Sequence, residues 1–333
     1  MTAHDYRGGA SVARSTLCIF VMLAVLVVAP YSGSQAANKY AGEFLTHGVG
    51  ARALGMGSAF VAVSDDVTSG YWNPAGVSDV EGRGVQLMHA ETFGDVVNYD
   101  TGAYVHPLDD DSGIAVTVVR LAVDDIPFTD FEQDEDRIYY DAARITWESD
   151  SETAMLVSYG RRVSDRLSLG GNLKLITKSI ANYTCYGAGF DLGVKFDVGE
   201  STTLGANLQD VTTTFLSWDT KERELIMPTA KVGVAHRFDL PSMGGVLTLA
   251  ADADVRFENR ALADEYHAGA VSADTHYGVE FVYRHRVGVR GGLAMGQLTA
   301  GAGLSLGSFE VDYAFGKHEY LDSSHRVSAS YTF

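Results

Sequence analysis

The residues of this chain that could do chemistry are mostly charged, and they fall in no catalytic pattern. Ten histidines are scattered without metal-ligand spacing, and no Gly-x-Ser-x-Gly elbow occurs. Gly48 and Gly50 are followed by the next glycine only at Gly55, with no strand before them, which is a poor dinucleotide fingerprint. The sequence therefore predicts no catalytic residue, no metal site and no cofactor. Its chemistry lies instead in charges set at alternate positions: Lys174, Lys178, Asp191, Lys195, Lys231, Arg237, Asp252, Asp254, Arg256, Glu280, Arg284, Arg286, Arg290, Glu310 and Asp312. Charges on an enclosed face need partners. A compensated network holding one part of the protein to another is the expected use, and a selective polar pathway is the other. The stretch VDDIPFTDFEQDEDR, 123–137, places seven carboxylates in fifteen residues. It fits no calcium-loop spacing and reads as a solvated loop, with calcium, a basic protein client or a docking lid as its other uses.

Charges at every second position require strands to hold them on one face. Tyr186, Ala188, Phe190, Leu192, Val194, Phe196 and Val198 alternate with Gly187, Gly189, Asp191, Gly193, Lys195 and Asp197. Phe309, Val311, Tyr313 and Phe315 oppose Glu310 and Asp312 in the same way. Fourteen such strands are expected, near 84–92, 97–107, 112–122, 152–163, 166–179, 184–198, 202–210, 228–239, 246–257, 275–285, 286–295, 297–306, 308–316 and 325–333. The long connections, 123–151, 211–227, 258–274 and 317–324, all follow odd-numbered strands, and those after even-numbered strands are short. An even strand number with long loops at one end and short turns at the other is the pattern of an outer-membrane barrel, its short end periplasmic. The fold class expected is all-β, a 14-stranded antiparallel transmembrane barrel.

The N-terminus agrees with export. Residues 17–29 form a 13-residue apolar run after Arg7 and Arg14, and Ser34-Gln35-Ala36 offers a cleavage site. The run is shorter than the ~20 residues a spanning helix takes, so residues 1–36 read as a cleaved signal peptide. A net charge of −18 excludes nucleic acid as an expected partner. With the signal removed, Cys185 is the only cysteine; stability must come from packing and hydrogen bonds.

Residues 37–83 do not alternate and are rich in glycine. Ser64 or Asp65 is expected to cap a short helix ending at Asn73-Pro74. The run Arg52, Gly55, Met56, Gly57, then Asp65 and Asp66, then Trp72, Asn73, Pro74 and Ala75 resembles the N-terminal segment of the PorV/PorQ family, FadL-like outer-membrane barrels. The resemblance extends over nearly all of the mature chain. It implies that 37–83 folds into the 84–333 barrel as a hatch plugging the lumen. Fourteen strands leave a bore wide enough to leak unless something fills it, and the 36 glycines leave room for that filling.

The chain closes on HRVSASYTF, in which Val327, Ala329, Tyr331 and Phe333 share one face. This ending resembles the signal read by the bacterial barrel-assembly machinery, a partner during biogenesis. The expected place is the outer membrane of a Gram-negative-type envelope, among its lipids. Likeness to PorV/PorQ implies a non-enzymatic, secretion-associated barrel engaging exported client or partner proteins at its outer loops. Likeness to FadL implies an uptake channel for hydrophobic molecules such as long-chain fatty acids, and a purely structural barrel is the third reading.

Overall fold

The computed structural model describes residues 41–333 except 93–95, 130, 135–136, 141–144, 259, 261–263 and 318–322, and of 131–140 only the backbone. The expected signal segment, the first residues of the expected hatch and His318 lie outside the described residues.

Fourteen strands close into one antiparallel barrel: β1 (Gly84–Thr92), β2 (Val97–Asp109), β3 (Ser112–Phe128), β4 (Thr146–Ser164), β5 (Leu167–Ile180), β6 (Tyr183–Asp197), β7 (Thr202–Gln209), β8 (Thr229–Leu240), β9 (Gly245–Arg256), β10 (Val271–Tyr283), β11 (Val287–Ala294), β12 (Gln297–Leu306), β13 (Phe309–Gly316) and β14 (Ser324–Thr332). Each pairs with its neighbours in sequence, and β14 pairs with β1 from His325↔Glu91 to Thr332↔Gly84. Phe333 N donates to Arg83 O at 2.8 Å and carries the seam one residue further. Closure leaves no unpaired edge, which a sheet surrounded by lipid requires.

The outward positions carry large apolar side chains that nothing in the chain covers. Leu87 is 66% exposed, Tyr186 64%, Phe190 52% and Leu304 45%. Such a continuous apolar wall has its solvent in the hydrocarbon of a bilayer. The inward positions alternate between charged or amide residues and very small ones, Ala103, Ala115, Ala154, Ala235 and Ala314 among them. The small residues leave a bore, and residues 41–80 fill it. Phe44, Val49, Leu54, Met56, Phe60, Tyr71 and Trp72 of this hatch form one core with wall residues Tyr99, Leu156, Ile176 and Leu216.

Three expectations are corrected. The acidic stretch 123–137 is not one loop: β3 continues to Phe128 past a register shift at Asp125, whose φ is 57°, and Phe131–Asp134 pairs with Arg137–Tyr140 as a hairpin. The 123–128 part still alternates weakly, but its paired charges hide the strand period. The 211–227 connection is likewise structured. Thr214–Trp218 and Arg223–Ile226 form a hairpin, and the first of these takes over pairing with β6 from Cys185 to Ala188, beyond the Leu192–Asp197 stretch that pairs with β7. The helix expected from Ser64 or Asp65 exists only as its last turn, α2 (Ser69–Trp72), after a first short helix α1 (Ala51–Gly55). Asp66 Oδ1 instead accepts from Thr68 N at 2.8 Å and Thr68 Oγ1 at 2.6 Å, an Asx turn that consumes the start of the helix. Asn73-Pro74 ends α2 as expected, and a 3-10 turn, Pro74–Asp79, follows.

Candidate functional site

The hatch sits on a track of glycines. On one wall a Cβ at Gly170 would lie 2.3 Å from Pro74 C, one at Gly193 2.2 Å from Asn73 Oδ1, and one at Gly205 2.5 Å from Val61 O. On the other, a Cβ at Gly292 would lie 2.4 Å from Gly57 N and one at Gly278 2.5 Å from Met56 O. Gly57 itself has φ 65° and backbone of β10 and β11 within 2.7 Å of its missing Cβ, so neither a side chain nor an ordinary backbone conformation fits there. Gly55 lies against Gly301 on β12, and Thr299 Oγ1 donates to Gly55 O at 3.2 Å. The inward glycines are thus a fitted bed for a second backbone.

Polar contacts fix the register. Trp72 Nε1 donates to Val49 O at 2.9 Å, which closes the hatch on itself. Asn172 on β5 donates to Gly70 O and Asn207 on β7 to Trp72 O, both at 2.9 Å. Asn73 Nδ2 donates to Val61 O in the hatch and to Val194 O in β6, both at 3.0 Å, while its Oδ1 accepts from Ala75 N at 3.1 Å. Trp72, Asn73, Pro74 and Ala75 are all buried. The triplet is thus buried, and Asn73 bonds both hatch and wall.

Arg52 is the electrostatic centre. Its guanidinium donates to Glu280 on β10 at 2.9 and 2.8 Å, to Asp65 at 2.7 Å and to Asp66 at 3.2 Å, over the ring of Phe60 at 5.2 Å. Arg290 on β11 donates to the same Glu280 at 2.7 Å and reaches Asp312, and Arg237 on β8 reaches the second oxygen of Asp65. Burial pushes the Asp65 carboxyl up, but Arg52, Arg237 and Lys195 outweigh it and hold the group below the usual carboxylate range. Lys195 on β6 donates to Val63 O and Ser64 O at 3.0 Å each and to Asp79 at 2.8 Å. Nearer the long-loop end, Lys174 is held between Asp191 at 3.0 Å and Asp210 at 2.8 Å, and Arg260 meets Glu43 at 2.7 Å.

The structure therefore brings Arg52, Asp65 and Asp66 together, and separately Gly55, Met56 and Gly57, and Trp72 to Ala75. Of the charges expected inside, Arg284 and Arg286 are not on the inner face. They occupy the turn after β10, where Arg284 has φ 48° and stacks on Tyr283. Asn172, Asn207, Asp210, Asp274 and Arg260 were not singled out in the sequence. The two asparagines lie in phase with the inward charges of their strands, and that phase was the available signal. Val327, Ala329, Tyr331 and Phe333 all point outward, with Tyr331 between the rings of Phe309 at 4.9 Å and Phe333 at 5.8 Å. No group of three or more His, Cys, Asp or Glu side chains among the described residues is placed to hold a metal ion.

A cavity lies at each end of the bore, with the hatch between them. One of about 580 Å³ opens at the short-turn end and is lined by Arg52, Asp65, Asp79, Lys195, Arg237 and Glu310. The other, about 380 Å³, opens at the long-loop end beside Leu54, Ser58, His276, Met295, Lys317 and Arg326. Arg52 and Leu54, two residues apart on α1, face opposite cavities.

The fold, a closed fourteen-strand antiparallel barrel with an occupied lumen, is shared by known transmembrane barrel structures. The chain is similar to the toluene transporter TbuX of Ralstonia pickettii (14% identity, TM-score 0.56, covering 86% of this chain and 98% of that one). It is similar also to the toluene transporter TodX of P. putida (13%, 0.58, 86% and 99%) and to a Pseudomonas aeruginosa FadL homologue (13%, 0.54, 86% and 98%). No family model and no curated protein sequence matches the chain.

Proposed function

We propose that this protein is a non-enzymatic uptake channel for hydrophobic molecules in the outer membrane, with its lipids around the wall and residues 37–83 as the hatch. The observation that carries the reading is the pair of cavities at opposite ends of one bore, separated only by the hatch. The short-turn end is taken as periplasmic. A molecule would enter among the outer loops, lodge in the outer cavity and pass when the hatch rearranges. The neighbouring structures support this reading, since they include transporters of a hydrocarbon. They favour uptake over the secretion-associated role implied by the PorV/PorQ resemblance. The glycine bed and the buried Asn73 serve a plug equally well in either role.

Two measurements test the proposal. In planar bilayers, deleting 41–78 is expected to leave a barrel that inserts and conducts ions; a deleted form as closed as the full protein would mean that the segment is no plug. In cells, labelled toluene is expected to accumulate faster with the protein than without it. Equal rates, together with a co-purifying exported protein, would move the assignment to secretion.

A further inference from the structure

The turn between β10 and β11 runs against its own backbone preference. Arg286 N donates to Tyr283 O at 2.9 Å, and the two residues between them, Arg284 and His285, have φ of 48° and 54°. Hairpin turns with two such residues ordinarily use Asn-Gly, because a Cβ is crowded in the left-handed region. Gly244 and Gly307, with φ of 65° and 66°, meet the same backbone demand in other short turns. Here an arginine and a histidine take the strained positions, and a third basic residue, Arg286, follows. Strain kept at an exposed turn calls for a reason in the side chains it displays.

Those side chains are exposed and uncompensated. Arg284, His285 and Arg286 are all exposed, and none has a carboxylate oxygen within 4.0 Å among the described residues. The carboxylates of the neighbouring strands are already taken: Glu280 and Asp312 hold Arg290, and Glu310 lies 3.9 Å from the same guanidinium. Arg284 is nonetheless placed. Its guanidinium lies over the Tyr283 ring at 5.0 Å, and its amide donates to Gly244 O in the adjoining turn at 2.9 Å. A Cβ at Gly244 would stand 3.4 Å from that ring and 3.9 Å from Arg284 Nε, so the stacked pair rests against the neighbouring turn. His285 and Arg286 border a cavity of about 220 Å³ behind the turn and add positive charge from that side.

The level of the turn in the wall selects the ligand. Tyr283 and its cross-strand partner Val287 face outward and are exposed, as are Phe238 near the end of β8 and Met243 in the adjoining turn. Aromatic side chains at the end of a membrane strand mark the boundary between hydrocarbon and headgroups. A guanidinium one residue beyond that boundary stands among phosphates, and its planar fork matches their oxygens. We propose that the β10–β11 turn binds the phosphate of an anionic phospholipid in the leaflet at the short-turn end. Arg284, oriented by Tyr283, takes the phosphate oxygens, His285 and Arg286 supply positive field, and the acyl chains run along Tyr283 and Val287. The proposal concerns the outside of the wall and stands whether or not the lumen is an uptake route.

The test is native mass spectrometry of the full protein in detergent micelles doped with equal amounts of phosphatidylglycerol and phosphatidylcholine. Wild type is expected to retain the anionic lipid over the zwitterionic one by about fivefold or more. Arg284→Gln is expected to remove most of that preference and Arg284→Lys to keep part of it, since an ammonium lacks the fork and the stacking. Arg166→Gln, which removes the same charge from the turn between β4 and β5 at the same end, is expected to leave the preference intact. If Arg284→Gln fails to fold, as judged by loss of the heat-modifiable band on gels, the double variant Arg284→Asn/His285→Gly replaces it. That pair supplies the residues the backbone favours, so it is expected to melt no lower than wild type while losing the preference. No preference in wild type, or an equal loss in Arg284→Gln and Arg166→Gln, would overturn the proposal. Millimolar inorganic phosphate separates the two sources of a phosphate group. Lipid adducts that persist in its presence support the lipid, and adducts that it displaces would make the site one for free phosphate and overturn the lipid assignment.

Discussion

Arg52 in the hatch and Glu280 in β10 meet fork to fork, Nε to Oε1 at 2.9 Å and Nη2 to Oε2 at 2.8 Å. No other pair described links hatch to wall through two charge-assisted bonds. Arg52 also donates from Nη1 to Asp65 and Asp66, so one guanidinium ties two hatch segments and the wall together.

Replacing Arg52 by Met should loosen the hatch without opening the barrel. Glu280 keeps Arg290, but Asp66 loses its only described cation and Asp65 keeps Arg237 and its more distant neighbour Lys195. Breaking a buried pair from one side costs about 3–5 kcal/mol, and less here because Arg52 and the two aspartates are each about one-fifth exposed. Hydrogen exchange over 51–66 should accelerate while the barrel's gel mobility stays unchanged. Unaltered exchange would show that the clamp contributes nothing to docking.

Two adjacent glycines on β11 give a sharper contrast. A Cβ at Gly292 would meet Gly57 N at 2.4 Å and Met56 C at 2.5 Å, both backbone, whereas one at Gly291 on the lipid side meets nothing nearer than 3.8 Å. Gly292→Ala should displace the Met56-Gly57 turn and raise ion conductance in bilayers, and Gly291→Ala should behave as wild type. Equal conductance in the two variants would mean that the wall yields to the hatch.

That contrast also marks how far the sequence could be read. All fourteen strands were visible because each has one lipid-facing apolar row, and a period of two survives any tertiary context. The hatch motif, from Arg52 to Ala75, was visible through its resemblance alone. Its contacts were not, because Asn172 or Gly170 acquires meaning only when the barrel closes and brings β5 under the hatch. One sequence shows that a charge faces inward, but only the closed ring shows which groups lie opposite it, as Ala90 and Ala314 lie in register with Arg326.

Acidification should release the hatch in two stages. Burial, reinforced by the charge of Arg326, holds the His47 imidazole below its ordinary value of about 6.5. The undocked segment then binds more protons below that pH, so the 43–47 turn loses stability as pH falls under about 6.5. Asp65 is held low, so its contribution is complete above the ordinary carboxylate value of about 3.9 and is lost only as pH falls through the lower docked value. Corrected exchange rates should therefore rise for 43–47 between about pH 7 and 5, and for 51–66 only below about pH 4. Simultaneous loosening of both stretches would contradict the assignment of separate titrating groups. His47→Gln should remove the first stage alone.

Asn73 carries the last test, of whether the Asn-Pro-Ala triplet anchors the hatch. Its amide satisfies two carbonyls, one in the hatch and one in β6, and its carbonyl closes the turn onto Ala75 N. Asn73→Ala leaves three buried backbone groups without those partners, at about 1–3 kcal/mol for each that water does not reach. Asn73→Asp keeps the acceptor for Ala75 N and loses both donations, while pointing a carboxylate at two carbonyl oxygens. If the triplet is an anchor, both variants should lower the melting temperature in detergent, with Asp at least as damaging as Ala, and both should conduct in bilayers. A variant that melts like wild type yet conducts would instead make Asn73 a gate residue, stabilising the closed hatch without supporting the fold.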